Sequence, residues 1–175
     1  SLYDGNLGKP SDETMNEFDV LIFDLQDVGC RFYTYLTTMT KVMQACAEKE
    51  KKMIILDRPN PLGFYADGPI LDMKYKSGVG YIPVPVVHGM TLGELSGMIN
   101  GEKWLEDGIQ CDVTVITCGN YSHKSRYVLP IKPSPNLPDI RSIYLYPSMC
   151  YFEATPVSLG RGTDKLFQIY GHPNM

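Results

Sequence analysis

Two short, continuously apolar runs flanking a segment of helical periodicity constrain this chain more than any other feature. The first is the core of Phe18-Asp19-Val20-Leu21-Ile22-Phe23-Asp24, and the second is Lys52 to Leu56. Runs of this length without polar alternation read as strands of a parallel sheet, buried on both faces. Between them Phe32, Leu36, Met39, Met43 and Cys46 recur at helical spacing, and Glu48, Lys49 and Glu50 close the run. The spacing predicts a helix over 32–49. The three segments form a β-α-β unit, whose crossover is right-handed as a rule.

The remaining punctuation extends this pattern. Ser11-Asp12-Glu13-Thr14 carries helix-start chemistry, so a short helix over 11–16 is expected. Two prolines in Asp57-Arg58-Pro59-Asn60-Pro61 fix an extended loop after the second strand. Residues 62–90 are rich in Gly and Pro, and a loop of that length is usually functional. Thr91-Leu92-Gly93-Glu94 is a capping box that opens a helix ending near Asn100-Gly101. Cys111 to Cys118 reads as a third strand, partly alternating and so suited to an edge. Pro130 to Pro138 is extended. A helix is expected over 139–152, interrupted at Pro147, with Ile140, Ile143, Tyr144 and Cys150 facing inward. Gly160-Arg161-Gly162-Thr163 is a glycine-rich loop, and Ser1-Leu2-Tyr3-Asp4-Gly5 also reads as loop. The fold class is therefore α/β, with mostly parallel strands. Three or four strong strands are few for a doubly wound sheet, so strands missing at one or both ends are expected.

Composition excludes several classes. With 43% hydrophobic and 21% charged residues, the 175-residue chain is globular rather than disordered, and it has room for one domain. A net charge of −4 offers nothing to a phosphate backbone, so no nucleic-acid partner is expected. No run approaches the roughly 20 apolar residues of a membrane span. Five cysteines at long spacing, with no CxxC pair, indicate buried reduced thiols rather than a disulfide framework. The histidines lack zinc-ligand spacing, and no metal is expected. There is no GxGxxG, P-loop, HExxH or G-x-S-x-G, so no nucleotide cofactor is implied either. No signal peptide opens the chain and no initiator Met is present, so processing or trimming at its start is expected.

Ligands of open α/β sheets bind beyond the carboxyl ends of the strands. Two such ends are dense in polar groups. One is Asp24, Gln26, Asp27 and Arg31 running into Tyr33 and Tyr35; the other is Asp57, Arg58 and Asn60. Carboxylates, guanidinium groups and tyrosines on one rim suit a polyhydroxylated or acidic small ligand. The same residues also fit a structural role, with Asp24 and Arg31, or Asp57 and Arg58, pairing with neighbours and capping the next helix. His88 precedes the capped helix and can reach a ligand or bond loop carbonyls. Asn136 sits in the stiff Lys132-Pro133-Ser134-Pro135-Asn136 loop, and Glu153 precedes Arg161 in the glycine-rich tail. Each of these has a structural alternative as well.

Taken in order, five strings resemble one family. They are Phe-Asp-Leu-Gln-Asp-Val-Gly-Cys-Arg-Phe-Tyr-Thr-Tyr (23–35), Leu-Asp-Arg-Pro-Asn-Pro-Leu-Gly (56–63), His-Gly-Met-Thr-Leu-Gly-Glu-Leu (88–95), Pro-Ser-Pro-Asn (133–136) and Gly-Arg-Gly-Thr (160–163). The set is similar to the exo-β-N-acetylmuramidases of the NamZ type, formerly a domain of unknown function. The resemblance implies a peptidoglycan-recycling glycoside hydrolase that releases N-acetylmuramic acid from non-reducing ends. It implies a Rossmann-like domain beside a smaller C-terminal domain, an exported protein, a peptidoglycan-derived sugar as partner, and no metal or nucleotide. Family members are about twice as long and carry a Pro-Glu-His-Gly segment upstream, whose glutamate is the favoured catalytic candidate. Residues 1–175 therefore read as one α/β domain, the central part of a larger two-domain architecture. Alone, the chain is expected to bind weakly or not at all, without turnover.

Glycoside hydrolysis usually needs two carboxyl groups. Asp27, Asp24 and Glu153 are the candidates for one of them, with Asp27 preferred because it lies just past the strand end. Arg31 or Arg161 would clamp the lactyl carboxylate. Tyr33 or Tyr35 would stack on the sugar, and His88 and Asn136 would bind hydroxyl or N-acetyl groups. Gln26, Asp57, Arg58 and Asn60 complete the candidate rim. A non-catalytic saccharide-binding domain and another hydrolase of acidic substrates are the alternatives. A truncated sheet exposes an unpaired edge, so some self-association is expected.

Overall fold

The structure, a computed structural model, describes residues 8–175; the loop expected at Ser1 to Gly5 lies outside the described residues. Helix α1 (Asp12–Asn16) starts at Ser11, whose hydroxyl accepts from the Thr14 amide. Strands β1 (Val20–Phe23), β2 (Lys52–Leu56) and β3 (Val113–Ile116) form one parallel sheet in the order β1-β2-β3. Register aligns Val20 with Lys52 and Met53 with Val113. Helix α2 (Tyr35–Glu48) crosses from β1 to β2, and α3 (Leu92–Gly101) lies between β2 and β3. Two successive crossovers in one direction place both helices on the same face of the sheet. Phe23, Met53 and Ile55 point into that face, against Met39, Met43, Leu95 and Ile99.

The strands differ from expectation in their second face. They are apolar on both sides, yet burial alternates, and Ile22 is 62% exposed while Phe23 is 5% exposed. Among the described residues no helix covers the face that carries Val20, Ile22, Leu56 and Ile116. A groove of about 830 Å³ runs along the outer edge of β1, lined in part by Ile22, Asp24 and, from α2, Thr38 and Val42.

Helix α2 begins three residues later than its periodicity suggests. Cys30 bridges Val87 in antiparallel fashion and the Arg31 amide donates to Val86 O at 2.8 Å, which holds this stretch extended. The long 62–90 loop contains only a 3₁₀ turn at Met73–Tyr75 and isolated bridges such as Asp67 with Val87. β3 spans the middle of the expected 111–118 run and stands at an edge of the described sheet.

Helix α4 (Ile140–Met149) does not stop at Pro147. Proline removes one amide donor but fills buried volume here, and the helix passes through it into a 3₁₀ turn at Cys150–Ala154. Its inward face is Ser142, Ile143, Tyr146, Pro147 and Met149, so Tyr144 points outward instead. That face packs with Val28, Cys30, Leu62, Val87, Leu137, Leu159 and Phe167 into a second core. This core binds the segments after β1 and β2 to the tail of the chain. All five cysteines are free; Cys30, Cys46 and Cys111 are buried, and Cys118 and Cys150 are half-buried.

Candidate active site

The segments that leave β1 and β2 are tied to each other side chain by side chain. Arg58 Nε donates to Asp24 Oδ1 at 2.6 Å, and this bond holds the Asp24 carboxyl below the usual carboxylate range. Gln26 Nε2 donates to Pro59 O at 2.9 Å and to Asp27 O at 2.7 Å. Buried Asn60 accepts from the Leu62 amide and donates to Met90 O, both at 2.8 Å. Asp57 reaches the start of α3, where its carboxylate accepts from Thr91 Oγ1 at 2.7 Å and from the Gly93 amide at 2.9 Å. The expected Thr91–Glu94 capping box is present. Asp24, Gln26, Asp57, Arg58 and Asn60 thus share one carboxyl-end rim. Asp24 and Arg58 are its open pair, whereas Asp57 and Asn60 serve the loop and helix around them.

Beneath this rim the chain is closed. Asp27 is 5% exposed, and its Oδ2 accepts from the Gly29 amide at 2.6 Å. The Met90 amide donates to His88 Nδ1 at 3.3 Å, which leaves Nε2 to carry the ring proton. That Nε2 faces Asp27 Oδ2 at 3.4 Å. Asp27 Oδ1 and His88 Nε2 are buried without a hydrogen-bond partner. Arg31 turns inward too, with Nη1 donating to Pro69 O at 2.9 Å and Val84 O at 2.6 Å, and burial lowers its pKa. These three residues brace the loops and show no open face.

The third strand end brings residues that the sequence reading missed. Tyr121 Oη donates to Asn60 O at 3.2 Å, and the Arg126 guanidinium stands 3.3 Å above the Phe64 ring. His123 bonds Gly63 O through Nδ1 at 2.9 Å and Glu94 Oε1 through Nε2 at 2.8 Å. Both ring nitrogens face acceptors, an arrangement that favours the doubly protonated ring. The Gly63 carbonyl and the Glu94 carboxylate raise the His123 pKa accordingly. The strand-end rule applied to β3 would have found this loop. A raised value means that the latch is complete below the ordinary histidine pKa of about 6.5 and is lost as pH rises through the folded value. The His123 imidazole signals in NMR should titrate above that figure, and Glu94→Gln should lower the midpoint. A midpoint unchanged by Glu94→Gln would refute the latch.

Tyr33 belongs to a second cluster. Its Oη donates to Pro133 O at 2.8 Å, and its ring meets Tyr35 edge-on at 5.1 Å and Tyr146 at 6.4 Å. Tyr35 opens α2, whose N-cap Thr34 makes no side-chain cap. Asn136 is half-buried in a tight turn, its amide donating to Ser134 Oγ at 3.2 Å. Glu153 is paired with Arg161 and accepts from Cys150 Sγ at 3.1 Å. Burial, aided by the Glu153 hydrogen bond, pushes the Cys150 thiol up to about 12. Glu153 and Arg161 belong to this cluster, built on α4 and the tail, rather than to the Asp24–Arg58 pair. Among the described residues no group of three or more His, Cys, Asp or Glu is placed to hold a metal ion. No helix of the described residues is long and apolar enough to cross a membrane.

Known proteins share both sequence and shape with this chain. The N-terminal model of the exo-beta-N-acetylmuramidase NamZ family matches residues 1–141, and the C-terminal model matches residues 144–175. The peptidoglycan beta-N-acetylmuramidase NamZ of Bacillus subtilis (strain 168) is 43% identical over 178 residues, covering 99% of this chain and 42% of that protein. A DUF1343 family crystal structure from Bacteroides fragilis NCTC 9343 superposes with a TM-score of 0.93 at 66% identity, covering 95% of this chain and 47% of that one. A second from the same organism gives 0.89 at 36% identity, covering 95% and 44%. The chain spans less than half the length of the relatives it matches. By both sequence and fold, it belongs to the NamZ exo-β-N-acetylmuramidase family.

Proposed function

We propose that this chain supplies the sheet-side wall of a muramidase site, which releases N-acetylmuramic acid from the non-reducing end of peptidoglycan fragments. The observation that carries the reading is the open Asp24–Arg58 pair at the carboxyl ends of two adjacent parallel strands. An aspartate held ionised by a guanidinium suits the carboxylate that faces an oxocarbenium-like transition state. The second carboxyl group, the protonated one, comes from outside residues 1–175. Arg58 can take the lactyl carboxylate with its guanidinium fork. Tyr121, bonded to Asn60 O, flanks the rim, and Tyr35 opens α2 after β1; both serve as stacking or hydrogen-bonding groups. Asp27, His88, Arg31, Asp57 and Asn60 act as positioning residues for these loops. Because peptidoglycan lies outside the cytoplasmic membrane, export and a part in cell-wall recycling belong to the same proposal. Cell fractionation tests the export.

The reaction is tested with a chromogenic β-N-acetylmuramic acid glycoside, offered to this chain and to a longer protein that contains it. Hydrolysis by the longer protein, with reducing sugar as product, is expected. Folded longer protein without hydrolysis would overturn the reading and leave a saccharide-binding module. Release of an amine in place of reducing sugar from natural fragments would reassign it to amide hydrolysis.

The uncovered sheet face makes a separate prediction. Exposed Val20, Ile22 and Ile116 form an apolar surface that favours self-association of the isolated chain. Light scattering should show oligomers that Ile22→Lys returns to monomer. An unchanged distribution would mean that this face is not the contact.

A further inference from the structure

The loop that follows β3 carries cations that the proposed site does not use. The whole chain is acidic, with 20 Asp and Glu against 16 Lys and Arg, yet residues 113–138 hold no Asp or Glu at all. Lys124 and Arg126 fall within this stretch, close behind the strand end. Side-chain contacts strap the loop, in order, onto the segment that leaves β2. Cys118 Sγ donates to Asp57 O at 2.9 Å, Tyr121 Oη donates to Asn60 O at 3.2 Å, and His123 Nδ1 bonds Gly63 O at 2.9 Å. Arg126 closes the series over the Phe64 ring. Because β2 and β3 are adjacent and parallel, both segments leave the sheet at the same carboxyl end. The strap is therefore a wall of the rim that holds Arg58. Its cations differ in what they can still bind. His123 is engaged by Gly63 O and by Glu94, and Arg58 gives its Nε to Asp24. Arg126 is exposed, and among the described residues no carboxylate pairs with it. Its guanidinium carbon stands over Phe64, which is held in turn by the Tyr65 ring at 4.9 Å and by the Tyr144 ring, edge-on, at 6.0 Å. A guanidinium braced on a ring keeps its N–H groups for a planar anion and loses little freedom when it binds one.

We propose that Arg126 is a specificity-determining residue of this site: it takes the carboxylate of an acidic saccharide bound on the rim and so discriminates against a neutral saccharide of the same shape. The place of the sugar rests on the muramidase reading; the place of the charge rests on the strap. Arg58 can orient the same carboxylate, but Asp24 already balances its charge, so it adds little selection between acid and neutral ligands. Arg126 supplies that selection because no acid in its own loop offsets it. The unbalanced charge also draws anionic saccharides toward the rim, an attraction that salt screens.

The experiment measures, by calorimetry, the binding of N-acetylmuramic acid and of N-acetylglucosamine, which lacks the lactyl acid, to a longer protein containing this chain. Wild type should favour the acid by about ten-fold or more, the size of a hydrogen bond between charged groups. Arg126→Gln should remove most of that preference by weakening the acid alone, with the melting temperature and N-acetylglucosamine binding unchanged. Arg126→Lys should recover part of it, through charge without the planar fork. A preference that survives Arg126→Gln would overturn the proposal. So would an equal loss for both sugars, which marks a structural role, or no binding of either sugar by the folded longer protein. Selective binding that Arg126→Gln abolishes, with no hydrolysis of the muramic acid glycoside, would uphold Arg126 and remove the muramidase reading.

Discussion

Gly29→Ala should lower the unfolding free energy by about 3 kcal/mol or more, since forced positive φ and overpacking each cost roughly 1–3 kcal/mol. Gly29 has φ +82°, a region that L side chains rarely adopt. A Cβ at this position would stand 2.2 Å from Asn60 Oδ1 and 2.7 Å from Asn60 Nδ2. Asn60 has no easy retreat, because its amide holds the Leu62 amide and Met90 O. Displacing it would forfeit two hydrogen bonds worth about 1 kcal/mol each. The Gly29 amide also donates to Asp27, and its carbonyl accepts from the His88 amide at 3.3 Å. The damage therefore spreads to the loops that carry the rim. Gly78→Ala is the control, since a Cβ there meets nothing within 4 Å. Urea midpoints should fall sharply for Gly29→Ala and hardly move for Gly78→Ala. Equal midpoints would contradict the packing described.

The second large effect is on rate. In a longer protein containing this chain, Asp24→Asn should lower kcat/KM by about 100-fold or more, the usual range for a carboxylate acting at the reacting centre. The amide keeps the shape of the side chain and removes the charge. Stability should change by no more than about 1 kcal/mol, because both partners of the Asp24–Arg58 pair are exposed. Arg58 lowers the Asp24 pKa, so the rate should hold into mildly acid pH. It should then fall as pH drops through that lowered value. Wild-type kinetics in Asp24→Asn, with unchanged melting, would remove Asp24 from the reaction.

The β-α-β core was legible because its signals are local. Continuous apolar runs marked β1 and β2, helical spacing marked α2, and Thr91 with Glu94 marked the start of α3. The strand-end rule then found the Asp24–Arg58 rim from order alone. Which face of the sheet is covered was not legible, since Ile22 and Phe23 are equally apolar and only the placement of α2 and α3 distinguishes them. Asp27 sits just past a strand end, as a ligand-facing carboxylate would, but the turn at Gly29 carries it inward onto His88. Arg31 is drawn in by two carbonyls from the distant 69–84 loop. His123 lies in a segment with no periodicity, and its partners Gly63 and Glu94 are far away in sequence. The second core depends on Leu159 and Phe167 in a glycine-rich tail, where local pattern predicts only loop.

The sugar is expected to sit on the carboxyl rim of the parallel sheet. Crystals of a longer protein containing this chain, soaked with N-acetylmuramic acid, test it most directly. Density for the sugar is expected against Asp24 and Arg58, with Tyr35 or Tyr121 beside it. Sugar bound instead at the amino ends of the strands, near Lys52 and Asp112, or in the separate groove that Tyr65, Tyr144, Pro147 and Tyr151 line on α4, would contradict this placement.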